Sequence, residues 1–199
     1  MAYFDNAATT FPKPETVYQS MDQFQRQTGG SFGRGNYEFS NSAKGMVDDT
    51  RKAIKQLLHC PAKQVVFEPS ATISLNIIIQ GIIQKGARNV YISPFEHNAV
   101  TRTLHHYKKR GQIKVEELAV DQKLNYDIQR IRFQFETTPP DLVIVSHASN
   151  VIGLVAPVEE IFSLAKEFHA ITLLDMAQTA GLVDLDIGKE IIDFAVFAG

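Results

Sequence analysis

Five groups of polar residues in this chain have types and positions that could do chemistry. Asp175 follows the apolar run Ile171-Thr172-Leu173-Leu174, and Gln178 stands three residues further on. Ser70 and Thr72 bracket Ala71 at the predicted start of an apolar helix. His97 lies in Pro94-Phe95-Glu96-His97-Asn98, between a predicted strand and a predicted helix, and Asn150 follows the apolar run 142–145. Each group has a plain structural explanation: Asp175 could cap the next helix, and Ser70 could be an ordinary N-cap. Taken together they suit one class of ligand, a planar heteroaromatic phosphate. Backbone N–H groups and hydroxyls at a helix start hold an anion through geometry and the helix dipole. A carboxylate pairs with a protonated ring nitrogen and keeps the ring an electron sink, while an imidazole stacks on the ring face.

The elements that must position these groups are legible as alternating patterns. From residue 64 onward, apolar runs that read as strands (64–67, 89–93, 113–120, 141–146, 171–175 and 193–197) alternate with helical patterns (73–84, 98–110, 126–135 and 158–168). Residues 187–189 begin one further short element. This alternation predicts an α/β fold with a mostly parallel sheet and helices on both faces. Continuous apolar strands such as 171–174 are expected where both faces are covered. Ser70, Thr72, His97, Asn150, Asp175 and Gln178 then all fall just past the carboxyl ends of separate strands, where open α/β sheets bind ligands. Ahead of this region, Val17, Met21 and Phe24 recur at helical spacing in a predicted helix over 15–27, stopped by Gly29-Gly30. A second helix is expected from an N-cap at Ser40 or Asn41 to about 59. Its apolar face is Met46, Ile54, Leu57 and Leu58, and Pro61 ends it. The glycine-rich stretch 29–35 (GGSFGRG) follows a helix and matches neither the dinucleotide nor the Walker pattern, so it reads as a flexible loop.

Composition narrows the classes. The chain has 199 residues, 44% hydrophobic and 21% charged, with a formal net charge of -2. That suits a globular domain with a real core and gives no electrostatic case for a nucleic-acid or membrane partner. No apolar run approaches the roughly 20 residues of a membrane span. One cysteine, Cys60, rules out an intrachain disulfide framework and points to a reducing, cytoplasmic setting. It reads as structural. His105 and His106 read as solvent-side helix residues, and no histidines have metal-ligand spacing, so no metal is expected.

Six segments carry a resemblance to a known family. YFDNAATT at 3–10, SAT at 70–72, EHNA at 96–99, SHASNVIG at 146–153, DMAQTAG at 175–181 and DFAVFAG at 193–199 occur in the order seen in class V aminotransferases. These are fold-type I pyridoxal-phosphate (PLP) enzymes, and the similarity is nearest the cysteine desulfurase and selenocysteine lyase branch. EHNA together with D-x-A-Q is the specific combination. The resemblance implies PLP as cofactor, with Ala71 and Thr72 holding its phosphate and His97 stacked on its ring as a candidate acid/base. It also implies Asp175 on the ring nitrogen, Gln178 on the phenolic oxygen, and Asn150 near that oxygen and the substrate carboxylate. Ala7 and Arg34 are implied near the substrate. Ser149 stands where some members carry a second asparagine.

In the family, the strand matching DFAVFAG leads directly into the Schiff-base lysine, whereas this sequence stops at Gly199. The resemblance therefore implies an N-terminal segment, 1–35, followed by a PLP-binding large domain, 36–199. The sheet of that domain would be incomplete at its C-terminus and truncated before the lysine. The implied function is that of the N-terminal part of a desulfurase-like enzyme acting on a small amino acid such as cysteine or selenocysteine. It would be inactive alone, with a homo-oligomeric state and a sulfur-acceptor protein as partner. The alternative is a naturally truncated, non-catalytic binding or interaction protein on the same scaffold. A third reading keeps the fold and takes a different phosphorylated ligand.

Overall fold

The computed structural model describes residues 2–33 and 35–198. The chain forms two compact units, divided between Val65 and Val66.

The first unit holds α1 (Glu15–Gln27) and α2 (Glu38–Leu57). Helix α1 matches its predicted span but buries no residue: Val17 and Met21, on its apolar face, are exposed. Helix α2 starts earlier than expected. Its N-cap is Tyr37, with no side-chain capping bond, and Ser40 lies inside the helix. The Ser40 hydroxyl is used differently, donating to the carbonyls of Ser31 (3.1 Å) and Gly35 (3.3 Å). It thereby ties down the glycine-rich loop. In that loop Gly33 and Gly35 adopt φ of 82° and 90°, which favour glycine. Gly30 approaches the next helix so closely that an added Cβ would lie 2.4 Å from the Phe39 carbonyl oxygen. Pro61 does not end α2. The helix closes at His59, whose φ is 53°, with Cys60 N–H donating to the Lys55 carbonyl at 2.9 Å, a left-handed C-terminal turn. Of the expected apolar face only Leu58 is buried.

The second unit is a parallel five-stranded sheet in the order β2-β1-β3-β4-β5. Its elements are α3 (Ala71–Gln84), β1 (Asn89–Ile92), α4 (Asn98–Lys109), β2 (Lys114–Glu117), α5 (Ile128–Thr137), β3 (Leu142–Ser146), α6 (Val158–Glu167), β4 (Ile171–Asp175) and β5 (Phe194–Val196). All five residues of β3 are buried, and so are the last four of β4. Alternate residues face opposite layers, because strand side chains alternate. Val90 and Ile92 pack with Leu142, Ile144 and Leu173 against Leu75 and Ile79 of α3 and Val100 and Leu104 of α4. Tyr91 points the other way: its ring meets Phe135 of α5 edge-on at 4.9 Å, and its hydroxyl donates to the Thr138 carbonyl at 3.0 Å. Helices therefore cover both faces, as the alternating pattern requires.

Two expected elements do not form. Residues 64–67 are not a strand; among the described residues no strand pairs with them, and Val66 is 72% exposed. Residues 187–189 form only a turn. The strand expected over 113–120 shortens to β2, an edge strand kept polar by Lys114, Glu116 and Glu117.

Candidate functional site

Strand β1 leads through α4 to β2 on one side, whereas β3 pairs with β1 on the other. That reversal opens a crevice at the carboxyl ends of β1 and β3. The segments after β1, β3 and β4 all emerge there. Helix α3 runs down into β1 and α4 leads away from it, so both helices begin at this end. The bond from Thr103 Oγ1 to Asn76 Oδ1 (2.6 Å) joins the sixth residues of the two helices and fixes their common level.

Asp175 closes β4 and is 5% exposed. Its Oδ1 accepts the Ala177 N–H at 2.9 Å. Burial pushes its carboxyl above the ordinary aspartate range, while the Ala177 N–H and the nearby His97 hold it partly down. His97 is the N-cap of α4: its Nδ1 accepts the Ala99 N–H at 3.1 Å. The Nδ1 lone pair is thus engaged, Nε2 carries the proton, and the exposed ring is anchored at a helix start beside Asp175.

Glu96 belongs to this cluster although its sequence context did not single it out. Its Oε1 accepts the Ser146 N–H at 2.6 Å and its Oε2 accepts from Ser146 Oγ at 2.9 Å. Ser146 pairs with Asp175 across the β3–β4 ladder, so Glu96 braces the strand end beside the aspartate. Burial raises the Glu96 carboxyl to about 8, against the Ser146 hydrogen bonds, and the Asp175 charge adds to the rise. Glu96 therefore holds its proton to higher pH than an ordinary glutamate. His147, also missed, is 4% exposed; its N–H donates to the Asp175 carbonyl at 2.8 Å and its Nδ1 lies 2.9 Å from Thr179 Oγ1. Burial holds its pKa below the ordinary histidine value. The only signal for either residue was adjacency: Glu96 precedes His97, and His147 follows a buried strand.

At the start of α3, Ser70 Oγ accepts the Ile73 N–H at 3.2 Å and the Ser70 carbonyl accepts the Ser74 N–H. The N–H groups of Ala71 and Thr72 have no acceptor among the described residues. Thr72 is exposed and Ala71 half-buried. Asn150 is exposed on a tight turn after β3, held by Gly153 N–H donating to the Ser149 carbonyl at 2.9 Å. Gln178 is half-buried in the turn after Asp175. The structure thus gathers Glu96, His97, Ser146, His147 and Asp175 into one cluster, with Thr72, Asn150 and Gln178 at the same end of the sheet. Ala7 belongs to the first unit, in a turn closed by Ala8 N–H donating to the Asp5 carbonyl at 3.0 Å. Arg34 lies outside the described residues. Among the described residues no group of histidine, cysteine and acidic side chains could hold a metal.

The aminotransferase class-V family matches residues 2–199. The chain belongs to that family. A probable cysteine desulfurase of Pyrococcus abyssi is 28% identical over 200 residues, covering 99% of this chain and 49% of the relative. A cysteine desulfurase IscS of Pseudoalteromonas translucida is 29% identical over 204 residues, again covering 99% and 49%. The apo structure of a cysteine desulfurase from Thermococcus onnurineus superposes with a TM-score of 0.90 at 27% identity, over 98% of this chain and 49% of that one. A structure of SspA in complex with cysteine gives 0.89 at 25% identity, over 100% and 57%. This class-V chain therefore spans about half the length of the relatives it matches. Its parallel sheet and layered helices are the α/β architecture of those neighbours. Among the described residues no helix is long and apolar enough to cross a membrane.

Proposed function

We propose that this chain is the cofactor-holding N-terminal part of a PLP-dependent, cysteine desulfurase-like enzyme. The observation that carries the proposal is Asp175: a buried carboxylate at a strand's carboxyl end, beside His97, in a setting that disfavours its charge unless a cation joins it. A protonated pyridine nitrogen is such a cation. The donor set fits PLP at its other end too, because the open N–H groups of Ala71 and Thr72 suit a phosphate.

In this reading Ala71 and Thr72 hold the phosphate, Asp175 binds the ring nitrogen, and His97 lies on the ring face and exchanges protons through Nε2. Gln178 and Asn150 serve the ring's phenolic oxygen, with Asn150 also facing the substrate carboxylate. Glu96 and His147 keep the Asp175 strand end in place. When bound, PLP supplies an electron-withdrawing ring that stabilises charge at an amino acid's α-carbon. The working assembly is proposed to be a homodimer. The names of the relatives favour cysteine as substrate, with sulfur passed to an acceptor protein and alanine released. A single, buried cysteine, Cys60, is consistent with a reducing, cytoplasmic compartment.

On this account the 199-residue chain does not desulfurate cysteine by itself. Supplied with PLP, cysteine and a thiol reductant that releases the transferred sulfur as sulfide, it should form alanine and sulfide no faster than PLP in free solution. Turnover at a rate typical of complete desulfurases would contradict the proposal that this part is inactive alone.

A further inference from the structure

Helix α4 carries a stripe of basic and imidazole side chains that nothing in the candidate site uses. Arg102, His105, His106, Lys109 and Arg110 recur at spacings of three and four, on one exposed face. They line a hollow of about 490 Å³. A second hollow, of about 340 Å³, shares Arg102 and His106 and is completed by Asn76 and Gln80 of α3 with Thr103 and Tyr107. The two form one trough, basic at one end and rich in amide and hydroxyl groups at the other.

Neither α3 nor α4 contains an acidic residue. Among the described residues these five side chains make no ion pair or side-chain hydrogen bond. Neighbouring basic residues behave differently: Lys108 donates to the Val115 carbonyl, and Arg88 donates to the carbonyls of Ile83 and Ala87. Favourable interaction with the helix dipole explains basic residues in the last turn, but Arg102 lies nearer the start. Arg102, Lys109 and Arg110 thus present positive charge that no acidic side chain of α3 or α4 offsets.

We infer that this trough binds a small polyanion bearing two or more phosphate groups. Arginine supplies planar paired donors for phosphate oxygens, lysine a mobile point charge, and the histidines further donors. Gln80 and Tyr107 supply polar contacts for the uncharged part of such a ligand. The trough lies on the outer side of α3 and α4 and includes none of Ala71, Thr72, His97 or Asp175, so this inference does not depend on the proposed cofactor.

The test is calorimetric titration of the 199-residue chain with inorganic tripolyphosphate at physiological salt, with the resonances of His105, His106 and Tyr107 followed by NMR. The expected result is one saturable site, shifts at those three residues, and at least tenfold weaker binding in Arg102→Gln/Lys109→Gln. Binding in Thr72→Ala should stay within twofold of the parent. Absence of saturation would overturn the inference. So would binding that the double variant leaves unchanged, or that Thr72→Ala abolishes. Binding of an acidic polypeptide such as polyglutamate without binding of tripolyphosphate would also overturn it, making the trough a protein-docking face.

Discussion

Glu96, in the loop after β1, and Asp175, at the end of β4, are carboxyls that burial pushes above their ordinary range. Glu96 keeps its proton to about pH 8 in the folded chain, whereas its ordinary value is 4.5. Between those values the folded state binds a proton that the unfolded state has lost, so stability falls as pH rises from about 5 to about 8, at up to about 1.4 kcal/mol per pH unit. The buried Asp175 contributes in the same direction. His147, held neutral, works the opposite way below its ordinary value of 6.5, so the Glu96 effect should be clearest above that. Urea unfolding between pH 6.5 and 8.5 should therefore show the parent losing stability relative to Glu96→Gln. A difference that does not change with pH would contradict this. At the residue scale, Asp175, His97 and Thr72 could be singled out from sequence because they follow apolar runs. Glu96 could not, because its importance comes from Ser146, fifty residues away in the chain and adjacent only through the β1–β3 pairing.

Strands in this fold carry carboxylates at both ends, with different work. At the amino ends Asp141 accepts the N–H groups of Arg88 (2.7 Å) and Asn89 (2.8 Å), and Asp193 accepts the Thr172 N–H (2.8 Å) and pairs with Lys166. These bonds pin β3 to β1 and β5 to β4. Removing such an acceptor leaves partly buried donors unpaired, at a cost of about 1–3 kcal/mol. Asp141→Ala should lower unfolding stability by that amount, with Asp141→Asn recovering part of it, as measured by denaturant melts. Asp127 caps α5 by accepting the Arg130 N–H at 3.0 Å, and Asp127→Ala should cost about 1 kcal/mol. Elements with a strong period and a continuous apolar run, such as β3, β4 and α6, were legible from sequence because burial alone decides them. Residues 64–67 misled because an apolar run forms a strand only where another strand pairs with it. Ser40 misled because a good capping residue can serve a loop: its hydroxyl holds the turn at Ser31 and Gly35, and the helix begins two residues earlier.

At the scale of the molecule, the sheet ends at β5, three residues long, whose Phe194 is 41% exposed; Leu182 nearby in sequence is 83% exposed. Among the described residues the outer edge of β5 has no partner strand. Unpaired edges and exposed apolar side chains favour association. Size exclusion with light scattering should show a mass that rises with concentration; a monomer at every concentration would contradict this. The α/β class and the shared end of the sheet could be read from alternation alone. The resemblance already implied the N-terminal part of a longer family member, and the relatives about twice as long bear that out. We propose that Asp175 anchors a pyridine ring at this end of the sheet. The most direct test is a fluorescence titration of the chain with pyridoxamine 5′-phosphate, which keeps the ring and phosphate but does not condense with surface lysines. Saturable binding is expected, weakened at least tenfold in Asp175→Asn while the fold is retained. Equal binding by parent and variant, or none by either, would contradict it.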